Sequence, residues 1–183
     1  MPAPAPEPPV RPATTLVLMG VAGAGKSTVM AELAGRLGWR TLEGDAIHPP
    51  GNVAKMAAGR PLSDEDRDPW LAAIGAWIGR AAEAAAPSIV ACSALRRRYR
   101  DVLRAAGDDV IFAHLVAPAE VLAARLAGRP GHFMPPDLLA SQLELLEPLA
   151  DERGFEVDAT RPSAAIADEI LERLGHPRRR RTG

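Results

Sequence analysis

The stretch TTLVLMGVAGAGKST, residues 14–28, decides the fold: it joins an apolar run to three glycines and Lys26, one of only two lysines in the chain. The spacing Gly20, Gly25, Lys26, Ser27 satisfies G-x-x-x-x-G-K-[ST], the phosphate-binding P-loop pattern. The run TLVLMG has the unbroken apolar character of a strand buried on both faces of a parallel sheet, and Val29, Leu33 and Leu37 behind it mark one face of a helix. A strand that ends in a Gly-rich turn before a helix gathers backbone N–H groups, and the positive end of the helix dipole, around one small space. That space is a nest for phosphate. Gly20, Gly23 and Gly25 let the backbone take positive φ and approach a ligand, while Val21, Ala22 and Ala24 do no harm because main-chain donors carry the contact. Lys26 supplies a point charge for the β and γ phosphates, Ser27 a hydroxyl for Mg²⁺ and Thr28 a donor to the α phosphate. Helix capping is the plain alternative for the two hydroxyls.

A chain of 183 residues fits one domain with a real core. Its 47% hydrophobic and 25% charged content, with a formal charge of -1, gives no global attraction to nucleic acid or to membrane surfaces. The single Cys92 excludes an intrachain disulfide, no signal peptide is evident, and no apolar run approaches the ~18 residues that span a bilayer. The expected location is cytoplasmic. Residues 1–13, rich in Pro and Ala, read as a disordered lead-in, residues 14–175 as the folded domain, and residues 176–183 as a basic tail whose arginines are solvated.

Strand-like and helix-like segments alternate through the domain. WRTLEGD (39–45), SIVACS (88–93), VIFAHLVA (110–117) and FEVDA (155–159) read as the later strands. Between them lie a helix opened by Ser63 with Leu71, Ile74 and Ile78 on one face, another through Tyr99 and Leu103, others over 118–129 and 138–146, and a last one with Ile166, Ile170 and Leu174. The alternation predicts an α/β fold with a parallel sheet covered on both faces and ligands at the carboxyl ends of the strands.

A P-loop implies a nucleotide and no more. Guanine-reading N-K-x-D is absent, and SIVACS ends in Cys92 and Ser93 where motor ATPases carry an Asp, so a small-molecule kinase is the strongest class. On the acceptor side Glu43 and Asp45 bracket Gly44 at the end of the second strand. Asp45 can take the proton of an attacking hydroxyl, and Glu43 can reach the magnesium shell through water; surface acids in a loop are the alternative. Ser63 and Asp66 form a capping box, but Arg67 is a cation near a helix N-terminus, so either neighbouring acids hold it or it awaits an anion such as a substrate carboxylate. Arg125 and Arg129 share a helix face running into PGHFMPP (130–136), which can close as a water-excluding lid; a solvated basic face is the alternative. His48 and His132 have no metal-ligand spacing and can be packed or at the surface, and Trp70, Trp77 and Phe133 read as core residues.

The succession GVAGAGKST, EGDAIHP, NVAKMAAGRPLSDEDRDPWL, IVACSALRRRYRDVLR and ARLAGRPGHFMPPDLLASQLELLEP resembles the gluconokinase family, over about residues 15–158. The resemblance implies a P-loop NTPase of the nucleoside monophosphate kinase type: three layers, a five-stranded parallel sheet in order 2-3-1-4-5 and a helical lid at about 125–147. It implies transfer from ATP to D-gluconate, giving 6-phospho-D-gluconate, by a homodimer that needs Mg²⁺. Carried onto matching positions, residues 20–28 bind ATP, Asp45 orients and deprotonates the 6-hydroxyl, and Arg67 with His48 belongs to the sugar-acid pocket. Ser93 and Arg97 become further pocket or phosphate contacts, Arg125 and Arg129 part of the lid over ATP, and His132 a substrate contact on closure. The family usually has Asp-Gly-Asp where this chain has Glu43-Gly44-Asp45, and often Ser where Ala22 and Ala24 stand. Two rival readings are a shikimate-type kinase, which should show Gly-Gly-Gly where this chain has CSAL, and a nucleotide-gated protein that engages nucleic acid through the Arg tail.

Overall fold

Strand β1 (Thr15–Met19) lies at the centre, and from Leu16 to Met19 no residue exposes any surface. In the computed structural model, which describes residues 14–128 and 136–176 and only the backbone of 136 and 137, it is flanked in parallel by β3 (Ser88–Ala91) and β4 (Val110–Val116). Outside these, β2 (Arg40–Glu43) pairs with β3 and β5 (Gly154–Asp158) with β4, again in parallel. The order is therefore β2-β3-β1-β4-β5, as expected.

Alternation along β1 feeds two cores. Leu16 and Leu18 meet Val29 and Leu33 of α1 (Lys26–Leu37) and Ile166 and Ile170 of α7 (Ser163–Arg173). Val17 and Met19 point the other way, onto Trp70, Ile74 and Ile78 of α3 (Asp64–Glu83) and onto Tyr99 and Leu103 of α4 (Arg97–Arg104). Burial on both faces is why the strands read as continuous apolar runs. Helices α5 (Ala119–Ala127) and α6 (Pro136–Leu145) follow β4 and match the expected helical segments.

Two features differ from the sequence reading. The second strand stops at Glu43, because Gly44 lies so close to β3 that a Cβ there would come within 2.6 Å of the Ala91 carbonyl oxygen; a 3₁₀ turn, Gly44–Ile47, follows. Helix α2 (Pro50–Ala57) carries no apolar stripe to announce it, since Asn52 is its buried residue, and its visible signal is Pro50 at the start. Residues 1–13, 129–135 and 177–183, with Arg129, His132, Phe133 and most of the Arg tail, lie outside the described residues. No helix among the described residues is long and apolar enough to cross a membrane.

One buried ion pair ties the sheet's carboxyl edge together. The Arg100 guanidinium of α4, with no exposed surface, donates to Glu152 through Nε (2.9 Å) and Nη2 (2.6 Å), to the carbonyls of Ala94 (3.0 Å) and Leu95 (3.1 Å) after β3, and to Pro148 (3.1 Å) after α6. Burial alone would push the Glu152 carboxyl up, but the Arg100 and Arg104 guanidiniums beside it hold it below the usual range. Removing one partner strands the other charge. Glu152→Ala should therefore lose roughly 3–5 kcal/mol in urea unfolding, because it leaves the Arg100 guanidinium buried without its carboxylate.

Candidate active site

The turn after β1 is shaped by close approach. Gly20, Gly23 and Gly25 have φ of 140°, 82° and 95°; a Cβ at Gly20 would stand 2.8 Å from the Leu115 carbonyl oxygen, and one at Gly23 3.0 Å from that of Leu122. Helix α1 then starts at Lys26 behind Gly25, with no side-chain cap and no acid in its first turn. The positive end of the helix thus carries no acid of its own, which favours binding a phosphate there. Lys26 Nζ donates to the carbonyls of Gly20 (2.9 Å) and Val21 (3.1 Å), so the ammonium is held at the loop.

Two cavities open on either side of this loop. The first, about 570 Å³, lies between α1, the end of α5 and the segment after β5, with Gly25, Thr28, Arg125 and Thr160 in its wall. Arg125 donates to the carbonyls of Gly23 (3.4 Å) and Ala159 (2.6 Å), which fixes it across this cavity. The second, about 170 Å³, is walled by Lys26, Asp45, His48, Arg67, Ser93 and Gln142 among others. The loop lysine and the acceptor-side residues read from the sequence therefore share one cavity.

Asp45 comes from the 3₁₀ turn, and Trp70 holds that turn: its Nε1 donates to the Gly44 carbonyl at 2.7 Å. His48 stacks on the Trp70 ring at 4.1 Å and 15°, with its side chain almost wholly buried and Nε2 3.9 Å from Asp45 Oδ1. Burial pushes the imidazole below its usual 6.5, Asp45 opposes this, and Arg67 adds to it. The net effect favours the neutral ring. Trp70 is thus both a core residue and part of the cavity wall.

For Arg67 the sequence left two options, and the geometry separates them. Asp64 pairs with Arg96 and Arg98, Asp68 with Arg98, and Asp66 with Lys55, whose ammonium, together with the Ser63 N–H, holds the Asp66 carboxyl down at about 2. The expected capping box is present, with Ser63 and Asp66 bonding each other's backbone N–H. Arg67 instead donates to the carbonyls of Leu62 and Ser63 and lies 5.6 Å from the Tyr99 ring centroid, with no carboxylate among the described residues within 4 Å. A buried guanidinium in a cavity wall, held only by neutral oxygens and a ring, suits an incoming anion.

Other candidates fall away from the cavity. Arg97 is exposed at the start of α4, its backbone N–H bonded to Glu147 at 2.7 Å, and its side chain is not part of the cavity wall. Glu43 ends β2 outside that wall. Burial raises the Cys92 thiol to about 12, and the charges of Asp45, Lys26 and Glu43 all reach it, so it offers no thiolate nucleophile. Among the described residues no group of three or more His, Cys, Asp or Glu could hold a metal. Ser27 is exposed in the first turn of α1, with its hydroxyl open to a ligand.

Two residues escaped the sequence reading. Gln142 of α6 accepts from the Ala22 N–H through Oε1 at 2.7 Å, which docks the expected lid helix on the phosphate loop. Asn52 of α2 donates to the Asp66 carbonyl and meets His48. Neither carries a spacing that singles it out.

The family described as AAA domain matches residues 16–149. The gluconokinase of Gluconobacter oxydans is 47% identical over 159 residues, which cover 85% of this chain and 88% of that protein. The thermoresistant gluconokinase of Escherichia coli is 40% identical over 158 residues, covering 85% and 90%. The crystal structure of a gluconokinase from Sinorhizobium meliloti superposes with a TM-score of 0.81 at 45% identity, covering 91% of this chain and 94% of that one.

Trp70→Phe keeps a ring under His48 but removes the donor to the Gly44 carbonyl. An unsatisfied buried carbonyl predicts a loss of about 1–3 kcal/mol in urea unfolding, together with slower turnover as the Asp45 turn loosens.

Proposed function

The chain belongs to the gluconokinase family, and from that membership we propose that it transfers the γ-phosphoryl group of ATP to the 6-hydroxyl of D-gluconate, giving ADP and 6-phospho-D-gluconate. The observation that carries the mechanism is the single cavity walled by Lys26, Asp45 and Arg67. ATP occupies the larger cavity, with its phosphates on the backbone N–H groups of residues 20–28 and its outermost phosphate toward Lys26. Ser27 and, through water, Glu43 would hold Mg²⁺, which would offset the charge of the phosphate oxygens.

Asp45 accepts the proton of the 6-hydroxyl as its oxygen attacks the γ phosphorus, and the bridging oxygen leaves with ADP. Lys26 and Arg125 balance the charge that spreads over the transferring group. Arg67 pairs with the gluconate carboxylate at the far end, and His48 and Ser93 bind its hydroxyls. Arg129 and His132 keep their proposed places in the lid, and a cytoplasmic homodimer completes the reading. The rivals fit less well: the chain has CSAL where a shikimate-type kinase needs its glycine run, and its relatives are gluconokinases rather than nucleic-acid binders.

Coupled ADP release across a panel of sugar acids and shikimate tests the substrate. Gluconate should give by far the highest kcat/KM, and no stimulation at millimolar gluconate would defeat the proposal. Lys26→Ala should abolish turnover. Asp45→Asn should lower kcat by about 10²–10⁴-fold with little change in gluconate KM, while Arg67→Ala should act chiefly on that KM; equal losses in both constants for Asp45→Asn would reduce it to a sugar-holding group.

A further inference from the structure

Asn52 stands behind the cavity wall, 5% exposed, on the short helix between the Asp45 turn and α3. Its Nδ2 donates to the Asp66 carbonyl oxygen at 2.8 Å. A carbonyl only accepts, so the amide must turn its NH₂ group that way. The same Nδ2 lies 3.3 Å from His48 Nδ1 and offers it the second hydrogen. A ring nitrogen that faces a donor must present its lone pair, and a neutral imidazole has one proton to place. That proton is on Nε2.

We propose that Asn52 is a positioning residue for phosphoryl transfer: it holds His48 as the Nε2–H tautomer, so that a ring N–H beside Asp45 fixes the direction of the hydroxyl that donates to that carboxylate. A half-turn of the ring would keep it flat on Trp70 but put a carbon, Cδ2, in place of the Nδ1 that meets the Asn52 amide, so Asn52 selects the ring orientation while Trp70, pinned to the Gly44 carbonyl, fixes its plane. On the other side, the Asp66 carbonyl belongs to the first turn of α3, which the capping box holds in place. The separation of 3.9 Å between Nε2 and Asp45 Oδ1 is too long for a direct hydrogen bond and leaves both groups able to bond a third.

A hydroxyl oxygen at that point has its remaining directions assigned. Its hydrogen goes to Asp45, one lone pair accepts from His48 Nε2–H, and the other lone pair is left for phosphorus. The charged groups facing the ring are Asp45 and Arg67. A doubly protonated ring would aim Nδ1–H at the Asn52 amide hydrogens, so Asn52 also opposes the imidazolium. The identity of the alcohol rests on the function proposed above; the tautomer does not.

The test begins with the intact wild-type chain, ¹⁵N-labelled and free of substrate, in a long-range ¹H–¹⁵N spectrum of its four histidine rings. The His48 signals are assigned by their loss in His48→Gln. Expected are an Nδ1 resonance in the unprotonated, pyridine-type range and an Nε2 resonance in the pyrrole-type range. Asn52→Ala, checked for cooperative unfolding, should shift His48 toward a mixture of tautomers and lower kcat/KM for gluconate about tenfold with the KM for ATP unchanged. An Nδ1–H tautomer or an even mixture in the wild type would overturn the proposal, as would folded Asn52→Ala with wild-type tautomer and wild-type kcat/KM. If Asn52→Ala does not fold, the wild-type spectrum decides. If gluconate is not phosphorylated, the substrate reading fails by itself, because the spectrum is read without it.

Discussion

A strand with no exposed surface cannot end in an ordinary turn, and this constraint on β1 organises the molecule. Leu16 through Met19 are enclosed by two helical layers and two neighbouring strands, so the chain must leave the sheet through a gap bounded by the Leu115 carbonyl of β4. Only a residue without a Cβ passes there. Gly20 does, and the backbone that follows, with positive φ at Gly23 and Gly25, turns into α1 and leaves the first N–H groups of that helix without a side-chain cap. Phosphate affinity is thus a consequence of how the central strand must end.

The acceptor side is built by the same device on β2, the edge strand beyond β3. Gly44 touches the Ala91 carbonyl of β3, the chain breaks into a 3₁₀ turn, and Asp45 is carried out at the edge. Trp70 then holds the turn, His48 lies on Trp70, Asn52 meets His48, and the first turn of α3 accepts from Asn52. Arg67 enters from that same first turn. From the opposite side α6 reaches the phosphate loop through Gln142. The cavity is therefore closed by segments that touch each other as well as the loop, which gives a defined place for an alcohol next to a defined place for a phosphate.

The sheet and its loop were legible because their signals are local. TLVLM, SIVA and VIFAHLV are runs that only a doubly covered strand tolerates, and GAGKST is a spacing with one mechanical use. The strand order came through resemblance, since nothing in a strand's own composition names its neighbour. Helix α2 was missed because its buried residue is polar, Asn52, and periodicity counts apolar positions. The role of Asn52 depends on a carbonyl 14 positions away, and that of Gln142 on an amide 120 positions away; neither separation leaves a mark in the sequence. Arg67 was recognised as anomalous, but that its neighbouring acids are taken by Lys55, Arg96 and Arg98 required the fold. Arg97, adjacent to two arginines that do make ion pairs to α3, shows the limit of carrying a role along a motif: one step along the helix start turns its side chain to solvent.

The account stands on Asp45 and the phosphate loop addressing the same hydroxyl. A crystal structure with gluconate and a non-hydrolysable ATP analogue measures this directly. The account predicts the 6-hydroxyl oxygen within hydrogen-bond reach of the Asp45 carboxylate and in line with the bond from the γ phosphorus to its bridging atom. A gluconate whose 6-hydroxyl points away from the γ phosphorus, or an Asp45 separated from that hydroxyl by more than one water, would contradict it.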